Sequence, residues 1–239
     1  MTNNFAEARK GLQQDLFALA ELAEDAVETA LLAIVDSDDA LARSVIEEDR
    51  EIKQMEMGLD KQCHNWLEIF HPEGEDLRLL CASIKIAHHL ERIGDLAVDI
   101  AEHARILIPR QRNFSDLPPL AALSEKTGEA LHDTVEMLLH QDPPRAQTIA
   151  NQNRQIDQGL VAVIAHLSEK LSQLPEQAPP LAHCLLIARG LERIADLSSA
   201  IAGEIVFSAT GKRLRRDPVS YSPLARDAAR GTPCPTTRN

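Results

Sequence analysis

The sequence contains one unit twice, about a hundred residues apart. The string IAHHLERIGDLAVDIA, which begins at Ile86, and the string IARGLERIADLSSAIA, which begins at Ile187, are identical at ten positions. Further upstream, EEDREIKQ from Glu47 matches NQNRQIDQ from Asn151. A repeat of this length indicates two tandem, domain-sized units rather than a solenoid of short repeats.

Both copies are predicted to be helical. Their apolar residues recur at three and four positions, which is the helical period, and clusters of Pro or Asp interrupt the pattern. Aromatic residues make up only 3% of the chain, and Ala and Leu take their place, which favours helix packing over a β-sheet. The interruptions predict three helices per copy, at residues 4–35, 39–70 and 74–108 and at residues 115–140, 143–174 and 179–210.

The predicted fold is all-α. Helices of about thirty residues that are joined by short turns must pack antiparallel, so each copy is expected to form an up-down-up three-helix bundle. The predicted organisation is a first repeat at residues 1–108, a linker at 109–114, a second repeat at 115–216 and a tail at 217–239. The tail is expected to be disordered, because it is rich in Pro, Ser, Thr and Arg and has no hydrophobic periodicity.

Charge and motif content narrow the functional class. The formal net charge of -12 repels phosphodiester backbones, so nucleic acid is not an expected partner. The chain has no CxxC pair, no apolar signal core at its start and no apolar run of about 18 residues, so we expect a cytoplasmic protein that reaches a membrane only through a partner and does not insert directly. No Gly-rich phosphate loop, GxSxG or HExxH motif is present, so catalytic activity is not predicted.

Four carboxylates share one face of the third predicted helix. Glu91, Asp95, Asp99 and Glu102 fall within about 80° of one another on a helical wheel, beside the apolar face. Carboxylates at i and i+4 can share a divalent cation, and helical bundles host such sites. The commoner use of such acids is to pair with Lys or Arg, and an Arg follows the Glu directly in both copies. The residues alone leave metal binding and ion pairing open.

The doubled LERIxDL string, together with HPEGEDLR at residues 71–78 and EDREIKQME before it, resembles the PhoU family of accessory and regulatory proteins of phosphate-specific transport. The resemblance implies a non-enzymatic cytoplasmic adaptor, peripheral to the inner face of the membrane. Its expected partners are the ATPase subunit of a phosphate ABC importer, a sensor histidine kinase and a second copy of the chain. It would suppress the phosphate-starvation response when phosphate is plentiful.

The resemblance also implies metal ligands, because some members of the family carry multinuclear iron or zinc clusters. Carried over, the ligands are Glu91, Asp95, Glu102 and Asp49 in the first copy and Glu192, Asp196 and Asp157 in the second. Asp99, which stands where the family has Asn, is a further candidate ligand in the first copy. The second copy has Ala200 and Gly203 where the family has Asn and Glu, so the first copy is expected to bind iron, zinc or another divalent cation before the second.

Two departures from the family pattern leave open whether the chain binds metal. Lys53 stands where the family has a second Asp, and Asn153 stands where it has a first. The Lys53 ammonium could neutralise Glu91 or Asp95, which would make the first site a salt-bridged mimic without metal. The alternatives to the adaptor are a carboxylate-bundle metal-binding protein or metal-dependent enzyme, and a helical scaffold that binds no metal.

Overall fold

The computed structural model describes residues 2–110 and 117–213, and six α-helices account for nearly all of them. The helices are α1 (Thr2–Val35), α2 (Asp39–Phe70), α3 (Gly74–Leu107), α4 (Pro118–His140), α5 (Ala146–Gln173) and α6 (Ala178–Thr210). The all-α prediction is confirmed. Most of the predicted linker, residues 111–114, and the tail at 217–239 lie outside the described residues.

The helix boundaries follow local chemistry. Helix α2 begins after Asp38, whose carboxylate accepts a hydrogen bond from the Ala40 amide at 2.7 Å and so satisfies one of the free N–H groups of the first turn. Helix α6 ends at Thr210, and the next residue, Gly211, has a φ of 71° and donates its N–H to the Phe207 carbonyl. These two ends agree with the predicted boundaries.

Three helix starts in the second repeat differ from the prediction. Helix α4 begins at Pro118 rather than at residue 115. The proline pair at 143 and 144 opens a short 3-10 turn, Pro143–Arg145, so that α5 begins at Ala146. A second 3-10 turn, Pro175–Gln177, precedes α6, which begins one residue earlier than predicted. Proline lacks the N–H that a helical interior needs, and so a tight turn comes before the regular helix.

Each repeat is a three-helix bundle, and the two bundles lie side by side. The contact between them is made mainly by α3 with α6 and by α1 with α4. Helix α3 runs antiparallel to α6: Lys85 lies 3.2 Å from Glu204 near one end, and Nδ1 of His103 lies 3.3 Å from Nδ1 of His183 near the other. The buried apolar side chains form one cluster that extends through both repeats. Helices α2 and α5 therefore lie on the outer sides of the molecule.

None of the helices in the described part of the chain is long and apolar enough to cross a membrane.

Candidate functional site in the two acidic seams

The carboxylates of the repeated motif lie where each outer helix packs on its central helix. We define the first seam as Asp49 and Lys53 of α2 with Glu91 and Asp95 of α3, and the second seam as Asn153 and Asp157 of α5 with Glu192 and Asp196 of α6. The repeat alignment makes these two sets equivalent, position by position. The two seams can therefore be compared residue by residue.

The first seam is organised around an ammonium group. Lys53 Nζ lies 2.5 Å from Asp49 Oδ2 on its own helix and 3.0 Å from Asp95 Oδ1 on α3. The hydrogen bonds to these two carboxylates raise the pKa of Lys53 above its ordinary value. Asp49 is mostly buried, and its other oxygen, Oδ1, has no hydrogen-bond partner. The first seam thus joins α2 to α3 through one cation and two anions.

Close packing of the backbone makes this contact possible. Ile52, which precedes Lys53, lies directly over Gly94, which precedes Asp95. A Cβ atom on Gly94 would lie 3.0 Å from Cδ1 of Ile52 and 3.2 Å from Cγ2. The absence of a side chain at Gly94 lets α2 approach α3 at the level where Lys53 reaches Asp95.

Glu91 lies near Lys53 and is half-buried. Burial raises the pKa of its carboxyl, and the negative charge of Asp95 adds to the rise. Nδ1 of His88 lies 3.9 Å from Glu91 Oε2, which is too long for a hydrogen bond. Asp99 and Glu102 follow on α3, and both are exposed. Burial and the neighbouring His183 lower the pKa of His103, which lies at the contact between the repeats, and the charges of Asp99 and Glu102 partly oppose that shift.

The second seam is organised around a neutral amide. Asn153 Nδ2 donates a hydrogen bond to Asp196 Oδ1 at 3.1 Å. Glu192 is 8% exposed, and burial raises its pKa, while Arg189, whose Nη1 lies 3.5 Å from Oε2, favours the charged form. Asp157, the equivalent of Lys53, lies near enough to Glu192 to raise its pKa further. This seam keeps three carboxylates and has no lysine.

The geometry allows a test of the predicted metal ligands. Within residues 2–110 and 117–213, no group of three or more His, Cys, Asp or Glu side chains is arranged to hold a metal ion. In the first seam the Lys53 ammonium lies between the carboxylates of Asp49 and Asp95, so the donor set does not fit a metal in this arrangement. The structure brings Asp49, Asp95 and Glu91 to one seam and Asp157, Glu192 and Asp196 to the other. Metal binding by these residues stays a prediction.

Two features of the site are not predicted by the sequence. The first is the packing of Ile52 on Gly94, for which the alignment offered one signal, the difference between Gly94 and its repeat equivalent Ala195. The contact of His103 with His183 had no such signal, because the period of each helix does not show how the two repeats pack together.

Fold and seams together define a class of protein: a two-repeat, all-helical bundle with one polar seam per repeat. The family model of the PhoU domain matches residues 16–104 and again residues 120–205. The chain belongs to the PhoU family.

Solved structures and a curated relative agree with this membership. The crystal structure of PhoU from Pseudomonas aeruginosa superposes with a TM-score of 0.81 at 26% identity, covering 86% of this chain and 99% of that one. The crystal structure of the phosphate transport system regulatory protein PhoU from Streptococcus pneumoniae superposes with a TM-score of 0.76 at 25% identity, covering 89% of this chain and 100% of that one. The phosphate-specific transport system accessory protein PhoU homolog of Rhizobium meliloti is 30% identical over 213 residues, 87% of each chain.

Proposed function

We propose that this chain is a non-enzymatic regulator of phosphate uptake and of phosphate-starvation signalling. It would act in the cytoplasm, at the inner face of the membrane, as an adaptor between the ATPase subunit of a phosphate ABC importer and a sensor histidine kinase. It would repress the starvation response when phosphate is plentiful, and it would form a homodimer. Membership of the PhoU family, whose relatives are named as accessory or regulatory proteins of phosphate transport, supports a role in the regulation of phosphate transport.

The observation that carries the adaptor proposal is the presence of two similar seams in one molecule. An adaptor needs at least two recognition surfaces, and each repeat supplies an outer helix and a central helix with the same Glu-Arg pair beside its seam. Two exposed arginines, Arg92 on α3 and Arg193 on α6, are charged groups of the kind that fix register and orientation when two proteins bind. Lys53, placed between carboxylates, gives no support to the alternative of a carboxylate-bundle metal enzyme.

The first experiment is genetic. A strain that lacks the gene is expected to express a phosphate-starvation reporter in high phosphate, and the full chain supplied from a plasmid should restore repression. A deletion strain that still represses the reporter would remove the regulatory proposal.

The second experiment is biochemical. The tagged chain is captured from membranes of cells grown in high and in low phosphate, and the importer ATPase and the kinase are measured in the eluate. Charge reversals Arg92→Glu and Arg193→Glu should each weaken capture of at least one partner. Lys126→Glu, an exposed reversal on α4, is the matched control and should leave capture unchanged. Capture of neither partner by the unaltered chain would refute the adaptor role, and light scattering of the purified chain tests the dimer.

A further inference from the structure

The first seam holds an ammonium group where a bridging cation would lie. Lys53 Nζ contacts one carboxylate from each of two helices, at 2.5 Å from Asp49 Oδ2 and 3.0 Å from Asp95 Oδ1. A divalent ion shared by two helices makes the same connection, since it takes oxygen ligands from both. The lysine is a compact point charge with three donors, of which these contacts use two.

A metal ion could not join the same two oxygens while Lys53 stays in place. It would have to lie about 2.0–2.6 Å from each oxygen, and therefore directly against Nζ. Two positive charges at such a separation repel strongly even at a solvated surface. Burial does not close the seam, because the side chains of Lys53 and Asp95 are 44% and 51% exposed and small ions can reach them. The ammonium itself is what occupies the position.

The second repeat has no lysine at the equivalent position. Asp157 stands where the first repeat has Lys53, and Asn153 stands where it has Asp49. The outer carboxylate, Asp196, accepts a hydrogen bond from the neutral Asn153 amide at 3.1 Å. Each repeat therefore holds the same carboxylate against its outer helix, the first through the Lys53 ammonium and the second through the Asn153 amide.

We propose that Lys53 is the built-in counter-ion of the first seam, which joins Asp49 to Asp95 in place of a metal, so that this seam takes no divalent cation. The proposal opposes the expectation from sequence that the first copy binds metal before the second. It is independent of which partners the chain recognises.

The test counts metal ions on the full-length chain. EDTA-treated protein is dialysed against Zn²⁺ or Mn²⁺ alone, and bound metal per chain is measured by mass spectrometry. Unaltered protein and the Asp95→Asn variant are expected to bind the same number of ions, because the first seam contributes none. Lys53→Asp, which gives α2 carboxylates at i and i+4, is expected to gain about one ion, which Asp95→Asn should then remove.

Two results would overturn the proposal. The first is loss of an ion from the unaltered chain on Asp95→Asn, which would show metal at the seam beside Lys53. The second is a folded Lys53→Asp variant, checked by circular dichroism, that gains no ion. If Lys53→Asp does not fold, Lys53→Gln replaces it: Zn²⁺ should raise the Tm of Lys53→Gln more than that of the unaltered chain, and equal shifts would refute the proposal.

Discussion

Replacing Gly94 by Ala tests whether close packing of α2 on α3 depends on the missing side chain. An added Cβ would lie 3.0 Å from Cδ1 of Ile52 and 3.2 Å from Cγ2. Ile52 is 3% exposed and lies in the core, so its branched side chain has little room to move.

Two effects of opposite sign decide the outcome. Ala in a helix interior is more favourable than Gly by about 0.5–1 kcal/mol. Overpacking of a core by one methyl group costs about 1–3 kcal/mol. Since the contact falls on a branched, buried side chain, we expect the packing cost to win and Gly94→Ala to lower the free energy of unfolding by about 1 kcal/mol. Urea denaturation followed by circular dichroism, with linear extrapolation, measures the change.

The same helix pair supplies the controls. A Cβ on Gly58, which lies in α2 as Ile52 does, would meet no atom within 4 Å, so Gly58→Ala should stabilise the chain by about 0.5–1 kcal/mol. Ile52→Val removes Cδ1, the nearer contact, so the double variant with Gly94→Ala should be less destabilised than the sum of the two single variants, by at least about 0.5 kcal/mol. The reasoning fails if Gly94→Ala stabilises as Gly58→Ala does, or if the two changes are additive.

Three further changes have expected outcomes. Burial, and to a lesser degree the charge of His183, lowers the pKa of His103 below 6.5. The unfolded chain therefore binds the proton more readily, and the free energy of unfolding falls as the pH drops below about 6.5. In denaturation measured at several pH values, His103→Gln should reduce this fall. The hydrogen bond with Glu24 raises the pKa of His132, so its contribution is present below about 6.5 and is lost as pH rises through the raised pKa; His132→Gln should therefore destabilise more at pH 5.5 than at pH 8.5, and a pH-independent effect would contradict this assignment. Asp38→Ala should lower the free energy of unfolding, measured by urea denaturation, by about 0.5–2 kcal/mol, because the cap on the Ala40 amide is lost. Asp38→Asn should retain most of the stability, because an Asn side chain can also accept this hydrogen bond.

The local structure of the chain was readable from its sequence because local signals specify it. The bounds of α2 were predicted to the residue, since acidic residues precede the helix and a His-Pro pair follows it. The start of α5 was placed too early, because prolines that open a short 3-10 turn and prolines that open an α-helix look alike in sequence. The start of α4 was placed too early because Ser115 is a typical N-cap residue, whereas the helix begins at Pro118. The side-by-side packing of the repeats rests on the contact between α3 and α6, which no local pattern specifies.

The seams were only partly readable for a related reason. The i,i+4 spacing already placed Lys53 beside Asp49, but the choice between Glu91 and Asp95 as its partner depends on how far α2 is shifted along α3. The packing of Ile52 on Gly94 is one of the contacts between the two helices that fix this shift. The exposure of Asp99 and Glu102 follows from the same geometry, because the stripe of acids runs along α3 past the level of Lys53.

The two repeats solve one packing problem with different chemistry. Each must hold an outward-facing carboxylate, Asp95 or Asp196, against its outer helix. The first repeat uses an ion pair with Lys53, and the second uses a neutral hydrogen bond from Asn153. An exposed ion pair is weakened by salt, whereas a hydrogen bond from an amide is affected far less. At this contact the attachment of α2 is therefore expected to depend on ionic strength more than that of α5, although the two helices occupy equivalent places in the repeat.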